Sequence, residues 1–184
     1  MKKTKEILKA TAVLAVICLV ISAALAGTNR LTDKKIALLK EQQETESMAR
    51  ICKAEVYREK TLTFDGSTQT YFVAEKDDKP VGYIFTTTQS GYGGAISVMT
   101  GIDPEGKILA VEILDVSNET VGLGQNAAKP EFTKQFEGKS GTIEVSKSAN
   151  GTQIQALTGA TITSAAVTET VNTALALFQQ VKGA

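Results

Sequence analysis

Between Lys9 and Arg30 the chain carries no charge. The intervening residues, 10–29, read "ATAVLAVICLVISAALAGTN" and are mostly Ala, Val, Ile and Leu. About 20 apolar residues is the length a helix needs to cross a bilayer of roughly 30 Å. In lipid every backbone polar group must find its partner within the segment, so such a run has to be helical. A cleaved signal peptide is the alternative, because Ala24-Leu25-Ala26 fits the small-x-small cleavage pattern. The length of the run favours a retained anchor. Lys2, Lys3, Lys5 and Lys9 precede it. Basic flanks stay cytoplasmic, which places the N-terminus inside and everything after Arg30 outside the membrane.

The remainder is ordinary in composition. Twenty basic and twenty acidic residues cancel, and no basic stripe follows the first ten residues, so nucleic acid is not an expected partner. The chain of 184 residues contains no histidine. That excludes Ser-His and Cys-His catalytic couples and any histidine-based metal site. Cys18 and Cys52 form neither a CxxC motif nor a convincing disulfide pair. No catalytic residue and no metal ligand set is expected. If the protein does redox work, the active group is borrowed.

Three regions are expected: residues 1–29 as cytoplasmic N-terminus and transmembrane helix, 30–53 as a helical connector, and 54–184 as an extracytoplasmic domain. The connector begins with Thr32 or Asp33 as N-cap and carries scattered apolar contacts at Ile36, Leu39 and Met48. The domain then turns rich in β-branched and aromatic residues, punctuated by DDKP, GYGG and DPEG. Strands are predicted over 70–76, 81–88, 94–101 and 107–116, with antiparallel hairpins at 77–80 and 103–106. A short helix starts at Pro130 and a further strand lies in "GTIEVSK". Val167, Val171, Ala174, Phe178 and Val181 then recur at helical spacing and form one face that should pack on the sheet. The fold class is α+β: an antiparallel or mixed sheet with a long C-terminal helix, behind a single N-terminal transmembrane helix.

The glycines of "GYGG" (residues 91–94) and "GLG" (122–124) are loop glycines. Neither motif is a GxGxxG fingerprint or a phosphate-binding P-loop. "SNETVGLG" sets Glu119 and Thr120 beside flexible backbone, suited to gripping a flat polar ring. Two glycosylation sequons, 118–120 and 150–152, are matches of the kind that chance supplies. More specific is "LTGATITS", where Thr158, Thr161, Thr163 and Ser164 surround Gly159 and Ala160 at a helix start. Free amides and the helix dipole make such a start a site for an anion such as phosphate. A threonine there can cap the helix, bind a phosphate, or be esterified by one. All three remain open on the residues alone.

"LTGATITS" resembles the flavinylation motif of the FMN-binding domain family, in which [S/T]-G-A-[T/S] carries FMN by a phosphoester to its last hydroxyl. "GYGGAISVMTGIDPEGKILAVEILDVSNETVGLG" is similar to the family's Gly-rich strand and its E-T-P-G-L-G loop. The chain departs from the pattern at Gln155, where Asp is usual, and at Val121, where Pro is usual. The layout resembles that of the G subunits of Rnf complexes, membrane ferredoxin–NAD oxidoreductases, and the longer C subunits of sodium-pumping NADH–quinone oxidoreductases. The resemblance implies a redox subunit, not catalytic alone, of a multi-subunit ion-translocating enzyme in a bacterial cytoplasmic membrane. FMN would be covalently bound to Thr161. Thr158, Gly159, Ala160, Ile162, Thr163 and Ser164 would form the phosphate end. Glu119, Thr120, Gly122, Leu123 and Gly124 would approach the ring or ribityl chain, with Tyr92, Gly93 and Gly94 beside them. Implied partners are the other membrane and cytoplasmic subunits, membrane lipid, and a flavin transferase of the ApbE type. A free-standing flavinylated carrier and a non-redox assembly module are the alternatives.

Overall fold

The computed structural model describes residues 2–151 and 153–183; Met1, Ala184 and Thr152, the last residue of the second sequon, lie outside the described residues, as do the side chains of Lys2, Lys3, Thr4, Glu6, Ala10 and Lys34. The chain forms two compact units, one up to Gln43 and one from Glu44 onward.

In the first unit the backbone is helical, within an unbroken helix α1, Lys2–Ile51. The stretch Ile7–Asp33, whose most apolar 18-residue window has a mean hydropathy of 2.5 and is not buried by protein, is long and apolar enough to cross a membrane. The expected helix start at Thr32 or Asp33 is absent. No proline interrupts the chain there, and the Thr28 and Thr32 hydroxyls donate back to the carbonyls of Ala24 and Thr28 at 2.9 and 3.0 Å. Such i−4 bonding is how a threonine sits inside a helix rather than at its start.

The second unit is built on an antiparallel meander whose strands pair in chain order: β1 (Val56–Phe64), β2 (Ser67–Lys76), β3 (Lys79–Ser90), β4 (Ala95–Ile102) and β5 (Ile108–Asp115). Five strands replace the four expected, β1 being the addition. Asp77 and Asp78 both take left-handed backbone, with φ of 51° and 56°, and close the β2–β3 hairpin as a two-residue turn. The predicted helix at Pro130 is a single turn, α2 (Pro130–Thr133), with Pro at its start. The "GTIEVSK" strand shrinks to β6 (Val145–Ser146), which pairs in parallel with β7 (Ile154–Gln155).

The last helix, α3 (Thr161–Gly183), covers one face of the sheet across β3 and β4. Val167, Val171, Ala174 and Phe178 are fully buried there against Phe85, Val98 and Ile102, and Val181 packs at the margin. The opposite face is covered by the final turns of α1, where Met48, Ile51 and Cys52 meet Ala74, Ile84 and Met99. Burying each large apolar side chain stabilises by about 1.5–3 kcal/mol, so α3 is fixed firmly along its length. Its N-terminus is thereby held rigidly at one end of the sheet.

Candidate functional site

The turn before α3 needs its glycine. Gly159 sits at φ +77°, in left-handed backbone that side chains disfavour, and a Cβ there would crowd Leu123 at 3.1 Å. The turn closes with Ala160 N–H donating to the Leu157 carbonyl at 3.0 Å. Helix α3 then starts at Thr161, which leaves the amides of Thr161, Ile162 and Thr163 without an intrahelical acceptor. Among the described residues no other oxygen accepts from them either. The hydroxyls, one candidate source of a cap, do not supply it.

The structure sorts the four hydroxyls into two pairs. Ser164 is fully buried, accepting from the Leu157 amide at 2.9 Å and donating to the Ala160 carbonyl at 2.9 Å. Thr163 is buried and donates to Glu119 Oε2 at 2.6 Å. Thr158 and Thr161 reach the cleft surface, and among the described residues neither hydroxyl has a partner.

Glu119 lies 4% exposed at the centre of the site. Besides Thr163 it accepts from the Gly93 amide at 2.9 Å, so a single carboxylate joins the β3–β4 loop to the first turn of α3. Desolvation pushes its pKa up, but the Thr163 hydroxyl and the amides of Gly93, Tyr92 and Gly94 hold the carboxyl below its ordinary value. A side chain at Gly124 would overlap Glu119 Oε2, and one at Gly93 would overlap the Asn118 carbonyl. These glycines are required by close packing around Glu119.

A cleft of about 820 Å³ opens over this arrangement. Thr158, Gly159, Ala160, Thr161, Ile162 and Thr163 form one side; Tyr92, Glu119, Thr120, Leu123 and Gly124 form the other. Gly93, Gly94, Gly122 and Ser164 are not part of this lining. Lys147, Gln155, Ala156 and Leu157 complete the cleft; Gln155 and Leu157 fall within the motif stretch without being expected as binding residues, and no sequence motif marks Lys147 or Ala156. Tyr92, Leu123 and Ile162 are large apolar side chains left exposed at its rim.

These features fit a flavin mononucleotide. The volume is in the usual range for ligand clefts. Free amides at the start of a long helix, beside Gly159 and Ala160, suit a phosphate. Exposed apolar side chains at the rim, Tyr92 and Leu123 on one side and Ile162 on the other, suit a flat aromatic ring.

Comparison with known proteins agrees. The FMN-binding domain family matches residues 91–176, and the RnfG N-terminal region matches residues 1–51. The G subunit of the proton-translocating ferredoxin:NAD(+) oxidoreductase complex of Clostridium ljungdahlii is 42% identical over 107 residues, 57% of each chain. That match thus spans little more than half of the relative's length. The G subunit of the ion-translocating oxidoreductase complex of Methanosarcina acetivorans is 30% identical over 181 residues, 95% of this chain and 96% of that one. Among solved structures, the C subunit of the Na(+)-translocating NADH-quinone reductase of Parabacteroides distasonis superposes with a TM-score of 0.55 at 26% identity, covering 64% of each chain. A relative alignable over almost its whole length, with both family regions in order, places this chain in the G-subunit family of ion-translocating oxidoreductase complexes, carrying an FMN-binding domain.

Proposed function

We propose that the chain is the electron-transfer subunit of an Rnf-type ferredoxin–NAD oxidoreductase, with FMN joined by a phosphoester to Thr161 Oγ1. It is anchored by one transmembrane helix, its N-terminus is cytoplasmic, and its partners are the other subunits of that complex. Bound FMN supplies one- and two-electron chemistry that no side chain here offers. The observation that carries the reading is the state of the Thr161 hydroxyl: exposed, unpartnered, on the first turn of α3, at the edge of the cleft and beside three free amides.

Each residue then has a job. The amides of Thr161, Ile162 and Thr163 take phosphate oxygens, and Gly159 and Ala160 let those oxygens approach the backbone. Ser164 fixes the preceding turn. Glu119 holds Thr163 away from the phosphate and keeps the facing loop in place, leaving Thr161 as the hydroxyl of the first turn free for ester formation. Tyr92, Leu123 and Ile162 give the ring apolar walls. The chain offers no histidine to deprotonate Thr161, so ester formation needs a separate transferase, of the ApbE type, and an activated flavin nucleotide.

Co-expression with such a transferase tests the reading. The wild-type chain should fluoresce as a flavoprotein on a denaturing gel and carry an FMN-sized adduct on the Thr161 peptide. Thr161→Ala should lose both while remaining folded. An adduct that persists in Thr161→Ala, or that maps to Thr158, overturns the assignment. Co-purification with the remaining membrane subunits separates a complex subunit from a free-standing carrier.

A further inference from the structure

The cleft has two charged residues in its lining among the described residues, Glu119 and Lys147. Glu119 is an anion held ionised by its hydrogen bonds and contacts the same first turn of α3 on which a phosphate would rest. A second anion there is opposed unless a cation faces it. Lys147, in the loop after β6, is the cation of the lining among the described residues. Its ammonium has no hydrogen-bond or ion-pair partner among the described residues.

What fixes the backbone of this exposed lysine is Gln155. The Gln155 carboxamide bridges the loop: Nε2 donates to the Lys147 carbonyl at 2.6 Å, and Oε1 accepts from the Ala149 amide at 3.0 Å. Gln155 is itself fastened, its amide donating to Gln135 Oε1 at 2.7 Å and its carbonyl accepting from Gln135 Nε2 at 3.4 Å. Only a carboxamide can serve both ends of this bridge. A carboxylate could still accept from Ala149, but it has no donor for the Lys147 carbonyl, so the Glu side chain of a Gln155→Glu variant would release that end of the loop. The bridge therefore sets the loop backbone on either side of the lysine.

We propose that Lys147 is the cation that faces the flavin phosphate, and that Gln155 is a positioning residue acting through the Lys147 backbone. This rests on the FMN reading above. Pairing across an open cleft is modest, so the expected effect is severalfold rather than all-or-none.

The test uses the full-length chain in detergent, prepared without flavin transferase and titrated with FMN and with riboflavin, which lacks the phosphate. The wild type should bind FMN more tightly than riboflavin, with the gap closing as salt rises. Lys147→Ala and Lys147→Gln should weaken FMN binding roughly fivefold at low salt, flatten its salt dependence and leave riboflavin unchanged. Lys147→Arg should restore FMN binding, and Gln155→Glu should reproduce most of the loss. Wild-type FMN affinity and salt dependence in both Lys147→Ala and Lys147→Gln overturn the lysine's role, as does equal loss of FMN and riboflavin. Unchanged FMN affinity in Gln155→Glu overturns the positioning role. A wild-type chain that binds neither flavin overturns this proposal; one that in addition gains no adduct when co-expressed with the transferase overturns the functional reading itself.

Discussion

At Glu119 burial and hydrogen bonding act in opposite directions, and hydrogen bonding prevails. Burial favours the neutral acid, but one hydroxyl and several amides favour the carboxylate, and the folded-state pKa ends below the ordinary value. The unfolded chain therefore binds the proton more readily than the folded one. The stabilisation is fully present above the usual carboxylate pKa of about 4.3 and disappears as pH falls through the lower folded-state value. Glu119→Gln should lower stability at neutral pH by about 2 kcal/mol, since a neutral amide gives up the charge-assisted bonds to Gly93 and Thr163 and the Thr163 hydroxyl must turn from donor to acceptor. The gap between wild type and variant, followed by denaturant unfolding, should narrow steadily below about pH 4. A gap that stays constant with pH sinks the argument. This pairing joins residues 44 positions apart, so the turn at "TGAT" is legible in the sequence while the sorting of its hydroxyls is not. Lys147 is illegible for another reason. A lone lysine in a polar loop carries no pattern, and only Gln155 gives it significance.

Among the elements, α3 is the most legible because its apolar face repeats over many turns and is buried as the period requires. Strand β1 escapes a sequence reading because "VYREKTLTF" carries Arg58, Glu59 and Lys60 in succession, which erases the alternation that marks a half-buried strand. It is an edge strand, where exposed charge is tolerated and discourages pairing with other chains. The last turns of α1 show only scattered apolar positions in the sequence, yet they form one of the two layers enclosing the sheet. Their seat is Gly101 on β4, where a Cβ would overlap Ile51 Cγ2. Gly101→Ala should destabilise the domain by about 1–3 kcal/mol through overpacking, measured by thermal or denaturant unfolding. Ile51→Ala, which removes the clashing methyl, should cost less in the Gly101→Ala background than alone. Strict additivity would show that Ile51 does not rest on Gly101.

For the molecule as a whole, the proposed topology rests on the lysines before the uncharged run, which by the positive-inside rule would keep the N-terminus cytoplasmic and deliver the domain to the far side. In intact cells stripped of their wall, a membrane-impermeant protease should degrade the domain from Val56 onward and spare the N-terminus. Protection until lysis would reverse the orientation. Delivery to that side has a consequence rooted in the bare amides of α3. A phosphate on Thr161 would complete a helix end that the polypeptide leaves unfinished, and helix caps are worth about 0.5–2 kcal/mol. A cap held by diffusion would drain away outside the cell, since its stabilisation follows ligand concentration. A cap held by an ester cannot dissociate, so its contribution no longer depends on supply.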